Sequence, residues 1–498
     1  MSSGKAKGQQ FLKGEDTVMK KDFDVIIIGG GPGGLAVGSM LAREGVSSVI
    51  IEKDSTVGGR YRSVDFHGAR VDCAVHFLVS LEGTVEGTYM YRLFSHLGLP
   101  LEYKVLPWAM GKVTKEKPGN IDFLEMDPKL GAGNFFAFFA FASGVEMEDS
   151  TKKALLRMAD ICEDMSEEEC RKAVNVPFSD WIDKNVEDPM GKLVLYGMGP
   201  VIGAPVTEVN FGMVANSWRT FNTVGAPLIW YFKNGNLQTA VLDPLTKYYT
   251  SLGGKIITSR TVRNILIEKG KAKGVRISDE QNNNMMEEYH SPVVVCAIPI
   301  FEAVHKNVLE RRFLTKDWAE AVKRFQKLAV YDLSGFYLLR KDVIPRDGTG
   351  WVNIYDMDYG IPTYIGDVCS GEFINSANEP PGKQIVCSMI PGTLEGTNFG
   401  IPTRWDKVME AHRRWKDAVE KAFPGFNDAI EDEAINLQLN FTRYAYAIVP
   451  TEVDIQSPNI KGLYFGGDSI RSIGTPMSDK CFQLALPLCD RILDYVRA

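Results

Sequence analysis

Metal-ligand patterns are missing from this 498-residue chain. It has six histidines, none spaced as His-x-x-x-His, and eight cysteines, none in a Cys-x-x-Cys pair. The cysteines (Cys73, Cys162, Cys170, Cys296, Cys369, Cys387, Cys481 and Cys489) are scattered, which reads as reduced, mostly buried thiols rather than a disulfide framework or a zinc site. No metal is expected. Long apolar runs are missing too: the longest, residues 293–301, is half of the roughly 18 residues a membrane span needs. The first 22 residues are polar and charged with no apolar core, so they do not read as a secretory signal. There is no basic excess. Fifty-six Lys and Arg against sixty-three Asp and Glu leave a net charge of −7, which gives no electrostatic case for nucleic acid. Neither internal repeats nor a hydrolase-type arrangement of Ser, His and Asp is visible. With 45% hydrophobic residues, the chain is long enough to bury large cores.

What is present begins after the polar lead, expected to be flexible over 1–22. Asp24 to Ile28 is a β-branched run that stops at a cluster of glycines, as a buried parallel strand does. Leu35 to Arg43 reads as a helix with small residues on one face, and Ser48 to Glu52 as a second buried strand, completing a βαβ unit. Further short strands are expected within 255–300 and at Gly462 to Asp468, with a closing helix from Pro476 to Arg497. The texture between them is mixed. Nucleotide-type elements therefore occupy 23–80, 230–300 and 450–498, interleaved with a second domain from 81–229 and 301–449.

The glycine cluster is Gly29-Gly30-Gly31-Pro32-Gly33-Gly34, which satisfies G-x-G-x-x-G through Gly29, Gly31 and Gly34. The first glycine allows a sharp turn, the second lets backbone approach a pyrophosphate, and the third permits close helix–strand packing. The following helix N-terminus offers free N–H groups to phosphate. Glu52, 18 residues past Gly34, ends the next strand, where a carboxylate accepts hydrogen bonds from ribose hydroxyls. This motif alone leaves NAD and FAD open. Val57-Gly58-Gly59-Arg60 decides for FAD, because a second glycine pair brings another loop to the nucleotide and Arg60 supplies charge to the pyrophosphate. Lys53 flanks that stretch. Near the C-terminus, Gly467 and Asp468 suit the ribityl hydroxyls, and Thr475, Pro476 and Met477 form a helix start suited to the carbonyl edge of a reduced flavin.

The run VIIIGGGPGGLAV…VIIEKDSTVGGRYRS resembles the N-terminus of the phytoene desaturase and amine oxidase superfamily. The resemblance implies FAD and an α/β fold in which a Rossmann-like FAD-binding domain interleaves with an α+β substrate domain, the flavin amine oxidase and GDP-dissociation-inhibitor architecture. Gly68-Ala69-Arg70-Val71-Asp72 with His76 resembles that family's loop near the flavin ring, Ser259 to Val262 its adenine-contacting strand (hence Val262), and GLYFGGD its closing flavin strand. The chain departs from the amine oxidases in having Ile473 to Ser478 where they carry W-x-G-Y and G-A, and Ala74 where a glycine is common.

Catalytic residues are not assigned by the sequence. His76 is read either as an acid/base or pocket-shaping group beside the flavin, or as a hydrogen-bonded structural histidine. Tyr444 and Tyr446 precede the last flavin strand, where the family often places residues facing the ring. The aromatic run Phe135, Phe136, Phe138, Phe139 and Phe141 reads first as a buried helix and second as the wall of an apolar tunnel or a bilayer contact. Trp230, Tyr231 and Phe232 read as packing first. The expected activity is hydride transfer between flavin N5 and a carbon of an apolar substrate (isoprenoid, carotenoid-like or lipid-like), as desaturase, saturase or isomerase. A peroxide-releasing amine or amino-acid oxidase and a non-catalytic lipid carrier on the same fold are the alternatives. The expected setting is cytoplasmic, with peripheral membrane contact left open. Electron acceptor and oligomeric state are not legible.

Overall fold

The computed structural model describes residues 20–497 apart from 74–77, 81–83, 107, 126–136, 138–140, 142–147, 197–205, 225–227, 234, 280–281, 283–284, 329, 347–350, 357–362, 372–377, 392–396, 399–400, 442–453, 468–469 and 471–478.

Val25–Ile28 (β1) is buried at every position, as its uninterrupted β-branched sequence requires of a strand covered on both faces. Pro32–Arg43 (α1) follows, then Ser48–Ile51 (β2), also fully buried. The helix starts at Pro32, three residues earlier than the sequence suggested, because proline's fixed φ and missing N–H suit a first helical position. β1 and β2 are the centre of a five-stranded all-parallel sheet in the order Lys255–Ile257, β2, β1, Val293–Cys296, Leu463–Phe465. Strands from the beginning, middle and end of the chain thus lie side by side. The strand order reverses direction at β1, and the crevice at the C-terminal ends of strands at such a switch point is where doubly wound sheets bind ligands. α1 lies close on this sheet: a Cβ at Gly38 would stand 3.1 Å from Ile50 and 3.2 Å from Tyr249.

A four-stranded layer is appended: Lys20–Asp22, Met285–His290, Lys271–Asp279 and Arg260–Glu268. Its first strand pairs Lys20 with Glu288 and Asp22 with His290, so the last three residues of the expected flexible lead belong to a sheet.

The second large sheet has seven strands, in the order Ile430–Phe441, Val330–Leu339, Gln384–Pro391, Thr363–Ser370, Trp351–Asp356, Trp108–Val113, Ile121–Glu125. All neighbours are antiparallel except Trp351–Asp356 beside Trp108–Val113. One face packs on helix Trp405–Ala422 through Val352, Val368, Val386, Val408, Trp415 and Val419. The opposite, inner face, with Phe336, Leu338, Trp351, Cys369, Ile385 and Cys387, packs on a hairpin made of Ser63–Phe66 and Ala69–Asp72. The period-2 alternation of strands produces these two apolar faces. Helices between 149 and 224 form a separate core in which Trp181 stacks on Phe211 at 4.5 Å. There the acidic stretch near Glu167 is a solvated helix start closed by a Ser166/Glu169 capping box.

Trp230 and Phe232 are buried in a strand, Leu228–Phe232. The expected closing helix is divided into Lys480–Gln483 and Ala485–Arg497, because Pro487 cannot donate to the carbonyl of Gln483 and its ring crowds it. All eight cysteines are buried and free. Among the described residues, no helix is long and apolar enough to cross a membrane, and no cluster of three or more His, Cys, Asp or Glu is arranged to hold a metal.

Candidate dinucleotide site

β1 ends at Ile28, and the chain turns at Gly29, whose φ of 101° favours glycine. Its N–H donates to the Ile51 carbonyl at 2.9 Å, tying the turn to β2. Gly31 is the N-cap of α1 and no side chain caps that terminus. A Cβ on Gly34 would lie 2.0 Å from the Gly29 carbonyl oxygen, so the helix can begin this close to the strand only with glycine there. Beyond the Gly31 Cα the space is open: a Cβ would meet nothing within 4 Å. An uncapped helix end with open space at its N-cap fits a pyrophosphate.

Glu52, just past β2, is buried. Its Oε2 accepts the Gly30 N–H at 2.7 Å and its Oε1 accepts the Asp54 N–H at 2.9 Å. Burial pushes the carboxyl above its ordinary value, and these two bonds oppose that shift. The residue expected to meet ribose therefore also fixes the glycine turn, and each oxygen retains acceptor capacity for a hydroxyl. Its carbonyl accepts the Arg260 N–H at 3.0 Å, which joins the strand carrying Val262 to the same corner. Val262 opposes Ile277 and Asn264 opposes Arg276, so Arg263 is the extra residue of a β-bulge beside the expected adenine contact.

Two further glycine segments converge on the same helix end. The Gly58 N–H donates to the Gly30 carbonyl at 2.9 Å, and a Cβ on Gly59 would be 3.4 Å from the Gly31 Cα. A Cβ on Gly33 would be 3.1 Å from the Gly467 Cα. The structure thus brings Gly29, Gly31, Pro32, Gly33, Gly34, Glu52, Gly58, Gly59 and Gly467 together, with Arg60 in the turn Gly59–Tyr61. Lys53 is exposed and paired with Asp54 at 2.8 Å. His76, Tyr444, Tyr446, Asp468, Thr475, Pro476 and Met477 lie outside the described residues.

The hairpin after this corner contains a group that sequence reasoning quoted only as part of a resemblance. Asp72 is buried; its Oδ1 accepts the Ser63 hydroxyl at 2.6 Å, and both carboxyl oxygens lie 3.2 Å from the Leu237 N–H. Burial pushes its pKa up to about 7. Leu237 opens a π-helical turn, Gln238–Leu242, whose Leu242 would meet a Cβ on Gly58 at 2.8 Å. Asp72 therefore braces the second glycine pair through one backbone bond and one side chain. The next residue, Cys73, accepts hydrogen bonds on its carbonyl from the Ser334 hydroxyl and, at 3.4 Å, from Asn436 Nδ2. Both donors belong to the seven-stranded sheet, so its inner face is fixed directly against the hairpin. A second buried acid, Asp367, stands on that face and accepts Trp351 Nε1 at 3.0 Å and the Met389 N–H at 2.8 Å. Burial pushes it, too, up to about 7. An acid among alternating apolar residues was the available signal, and the sequence reading passed over it.

Comparison with known proteins agrees with this geometry. Residues 27–97 match the model of an NAD(P)-binding Rossmann-like domain. A curated relative, a 4,4'-diapophytoene desaturase (4,4'-diapolycopene-forming) from a Methylomonas species, is 38% identical over 55 residues; the match spans 11% of this chain and 11% of the relative's length. Among solved structures, an oxidoreductase from Methanosarcina mazei superposes with a TM-score of 0.65 at 18% identity, covering 95% of this chain and 100% of the other. Cyclohexylamine oxidase from Brevibacterium oxydans gives 0.60 at 16%, covering 96% and 100%. A CLA-producing fatty acid isomerase from P. acnes gives 0.60 at 16%, covering 94% and 98%. Residues 27–97 thus form a Rossmann-like dinucleotide-binding segment, and the chain as a whole shares the two-domain α/β fold of these solved proteins.

Proposed function

We propose that the chain is an FAD-dependent oxidoreductase that moves a hydride between flavin N5 and a carbon of an apolar substrate (isoprenoid, carotenoid-like or lipid-like), as a desaturase, saturase or isomerase. The observation that carries this reading is the convergence of three glycine segments, at Gly29–Gly34, Gly58–Gly59 and Gly467, on one uncapped helix end. A simple dinucleotide turn needs only the first. The others suit a longer cofactor that continues from the pyrophosphate toward the hairpin and the inner face of the second sheet. Similarity to a diapophytoene desaturase in the nucleotide segment and to a fatty acid isomerase in fold supports an apolar substrate.

When bound, FAD supplies the hydride acceptor or donor. The chain's own residues do the rest. The α1 N-terminus and Gly31 receive the pyrophosphate, Arg60 adds positive charge, and Glu52 takes the ribose hydroxyls while holding Gly30 in place. Val262, beside the bulge at Arg263, would contact the adenine. Gly467 would lie against the flavin half, as would Asp468 and Thr475 to Met477 by the resemblance. The inner sheet face, with Phe336, Leu338, Trp351 and Ile385, backs the Ser63–Asp72 hairpin and so fixes the wall beside which the reacting carbon would lie.

The test is the visible spectrum of the gently purified protein before and after heat denaturation. The two bands of an oxidised flavin, released on denaturation, and anaerobic bleaching by apolar substrates are expected. A colourless protein that takes up no added FAD overturns the cofactor. Bleaching by amines with peroxide release, but not by apolar substrates, overturns the substrate class.

A further inference from the structure

Four lysines gather at one tip of the appended four-stranded layer. Its strands Arg260–Glu268 and Lys271–Asp279 are joined by the two-residue turn Lys269-Gly270, with Glu268 opposite Lys271. Both turn residues have positive φ, 48° and 72°. That is the pattern of a type I′ turn, whose first position favours asparagine, aspartate or glycine, so a lysine there is strained. Lys271 is also partnered by Lys461, on the segment leading into Leu463–Phe465. The Lys461 carbonyl accepts the Ala272 N–H at 2.9 Å and its N–H donates to the Gly270 carbonyl at 2.9 Å. Directly opposed side chains start about 5 Å apart, and like charges there are destabilising. Lys273, two residues beyond Lys271, shares its face, with Ala272 buried between them. All four lysines are exposed, and among the described residues none has a carboxylate at ion-pair distance. The turn Arg311–Phe313, whose Phe313 carbonyl accepts Asn459 Nδ2 at 3.4 Å, adds the exposed Arg311 beside them.

A strained lysine and an opposed pair of like charges both work against stability, and both concentrate positive charge on a chain of net charge −7. The large apolar side chains exposed on the described surface all lie outside these segments. Interfaces between folded proteins are built on aromatic and arginine anchors and are poor in lysine, whereas lysine clusters suit a sheet of negative charge. We infer that this tip docks on a bilayer bearing anionic phospholipid, the ammonium groups lying against lipid headgroup oxygens. The tip is at the far end of the parallel sheet from the cofactor corner. Lys461 precedes the strand Leu463–Phe465 and Gly467 follows it, a separation of about 15–20 Å along the strand. Docking therefore leaves the dinucleotide crevice uncovered. An apolar substrate would dissolve in the same bilayer, but the inference does not depend on that reading. With no apolar anchor in the tip, attachment is electrostatic and reversed by salt.

The test is co-sedimentation of the purified full-length chain with vesicles of phosphatidylcholine, alone or with about one-third phosphatidylserine, at about 0.1 M and about 1 M salt. Binding to the anionic vesicles at the lower salt is expected, with none to phosphatidylcholine alone and release at the higher salt. A lysine near an anionic surface is worth about fivefold in affinity, so Lys271→Gln/Lys461→Gln should bind about 25-fold more weakly. Its urea unfolding should match wild type or be shifted to higher urea, because an opposed like-charge pair is removed. Lys152→Gln/Lys153→Gln removes the same charge from the helix Asp149–Asp164 and should bind as wild type does. Wild type that fails to sediment with anionic vesicles overturns the inference and leaves the flavin reading untouched; this arm needs no variant to fold. Binding that survives in Lys271→Gln/Lys461→Gln, or falls equally in both double variants, also overturns it. So does capture of duplex DNA in place of vesicles.

Discussion

Gly31→Ala separates binding from folding at the nucleotide corner. Gly31 has φ −72° and ψ −179°, which alanine adopts freely, and its added methyl meets nothing within 4 Å. Reduced chain entropy in the unfolded state favours the variant by about 0.4–1 kcal/mol, and alanine's poorer N-capping costs a similar amount, so stability of the cofactor-free protein should change by less than about 1 kcal/mol. The same methyl fills the space into which a pyrophosphate must come to reach the N–H groups of α1. Overpacking of this kind costs about 1–3 kcal/mol, which is roughly 5- to 150-fold in FAD affinity. Gly34→Ala is the contrast. Its Cβ would stand 2.0 Å from a backbone oxygen, against 3.4 Å for an ordinary contact, so α1 must move by 1.4 Å (3.4 − 2.0). No rotamer relieves that contact, and a loss of about 3 kcal/mol or more is expected with or without cofactor. Urea unfolding of both apoproteins and fluorescence titration with FAD measure the two effects. Wild-type FAD affinity in Gly31→Ala would refute the placement of the pyrophosphate over this glycine.

Glu52→Gln places an amide N–H₂ against the N–H of Gly30 or Asp54, and should weaken FAD binding by about 10-fold or more while destabilising the apoprotein by about 1–3 kcal/mol, read by the same two assays. Asp72, pushed by burial from 3.8 up to about 7, is protonated more readily in the folded than in the unfolded chain. Between those values the folded state binds the extra proton, so stability falls as pH rises from about 4 to about 7, and Asp72→Asn should flatten part of that slope in urea unfolding across this range. A slope of the opposite sign, or one unchanged in the variant, contradicts the assignment. Tyr337→Phe removes the 2.7 Å bond between the Tyr337 hydroxyl and His412 Nε2 behind the seven-stranded sheet, leaving a buried nitrogen without that partner; a loss of about 1–3 kcal/mol without change in FAD affinity is expected.

The nucleotide corner was legible because its constraints are local. A strand that is apolar at every position, glycines at fixed offsets and an acid at the end of the next strand each answer to backbone geometry within a few residues. Even so, the sequence placed Glu52 toward ribose and did not reveal that both its oxygens also hold backbone N–H groups of the turn. Long-range pairings were less accessible. That Asp22 joins His290 in a sheet, or that Asp72 reaches Leu237, depends on chain segments more than 160 residues apart. The break before Ala485 was readable from Pro487, since a proline inside a helical run interrupts it at a known offset. Asp367 was hidden for the same reason: which face of the sheet it shares, and that Trp351 reaches it, follows only from the strand order.

One hairpin ties these parts together. Its first strand follows the Gly58–Gly59 turn, its second ends at Asp72, and the next carbonyl, that of Cys73, takes hydrogen bonds from Ser334 and Asn436 of the other sheet. The dinucleotide corner and the seven-stranded sheet are therefore joined by main chain, side chain and sheet within about ten residues. Displacing Cys73 would disturb the Asp72 brace on the π-helical turn and, through Leu242, the glycine pair beside Gly31. Ser334→Ala removes one of the two bonds on that carbonyl at a cost of about 1–2 kcal/mol. If the linkage works as this geometry requires, the variant should lose FAD affinity, although Ser334 lies on the seven-stranded sheet and not at the glycine corner. A Ser334→Ala protein with lowered stability but unaltered affinity for FAD would show instead that the two halves are positioned independently.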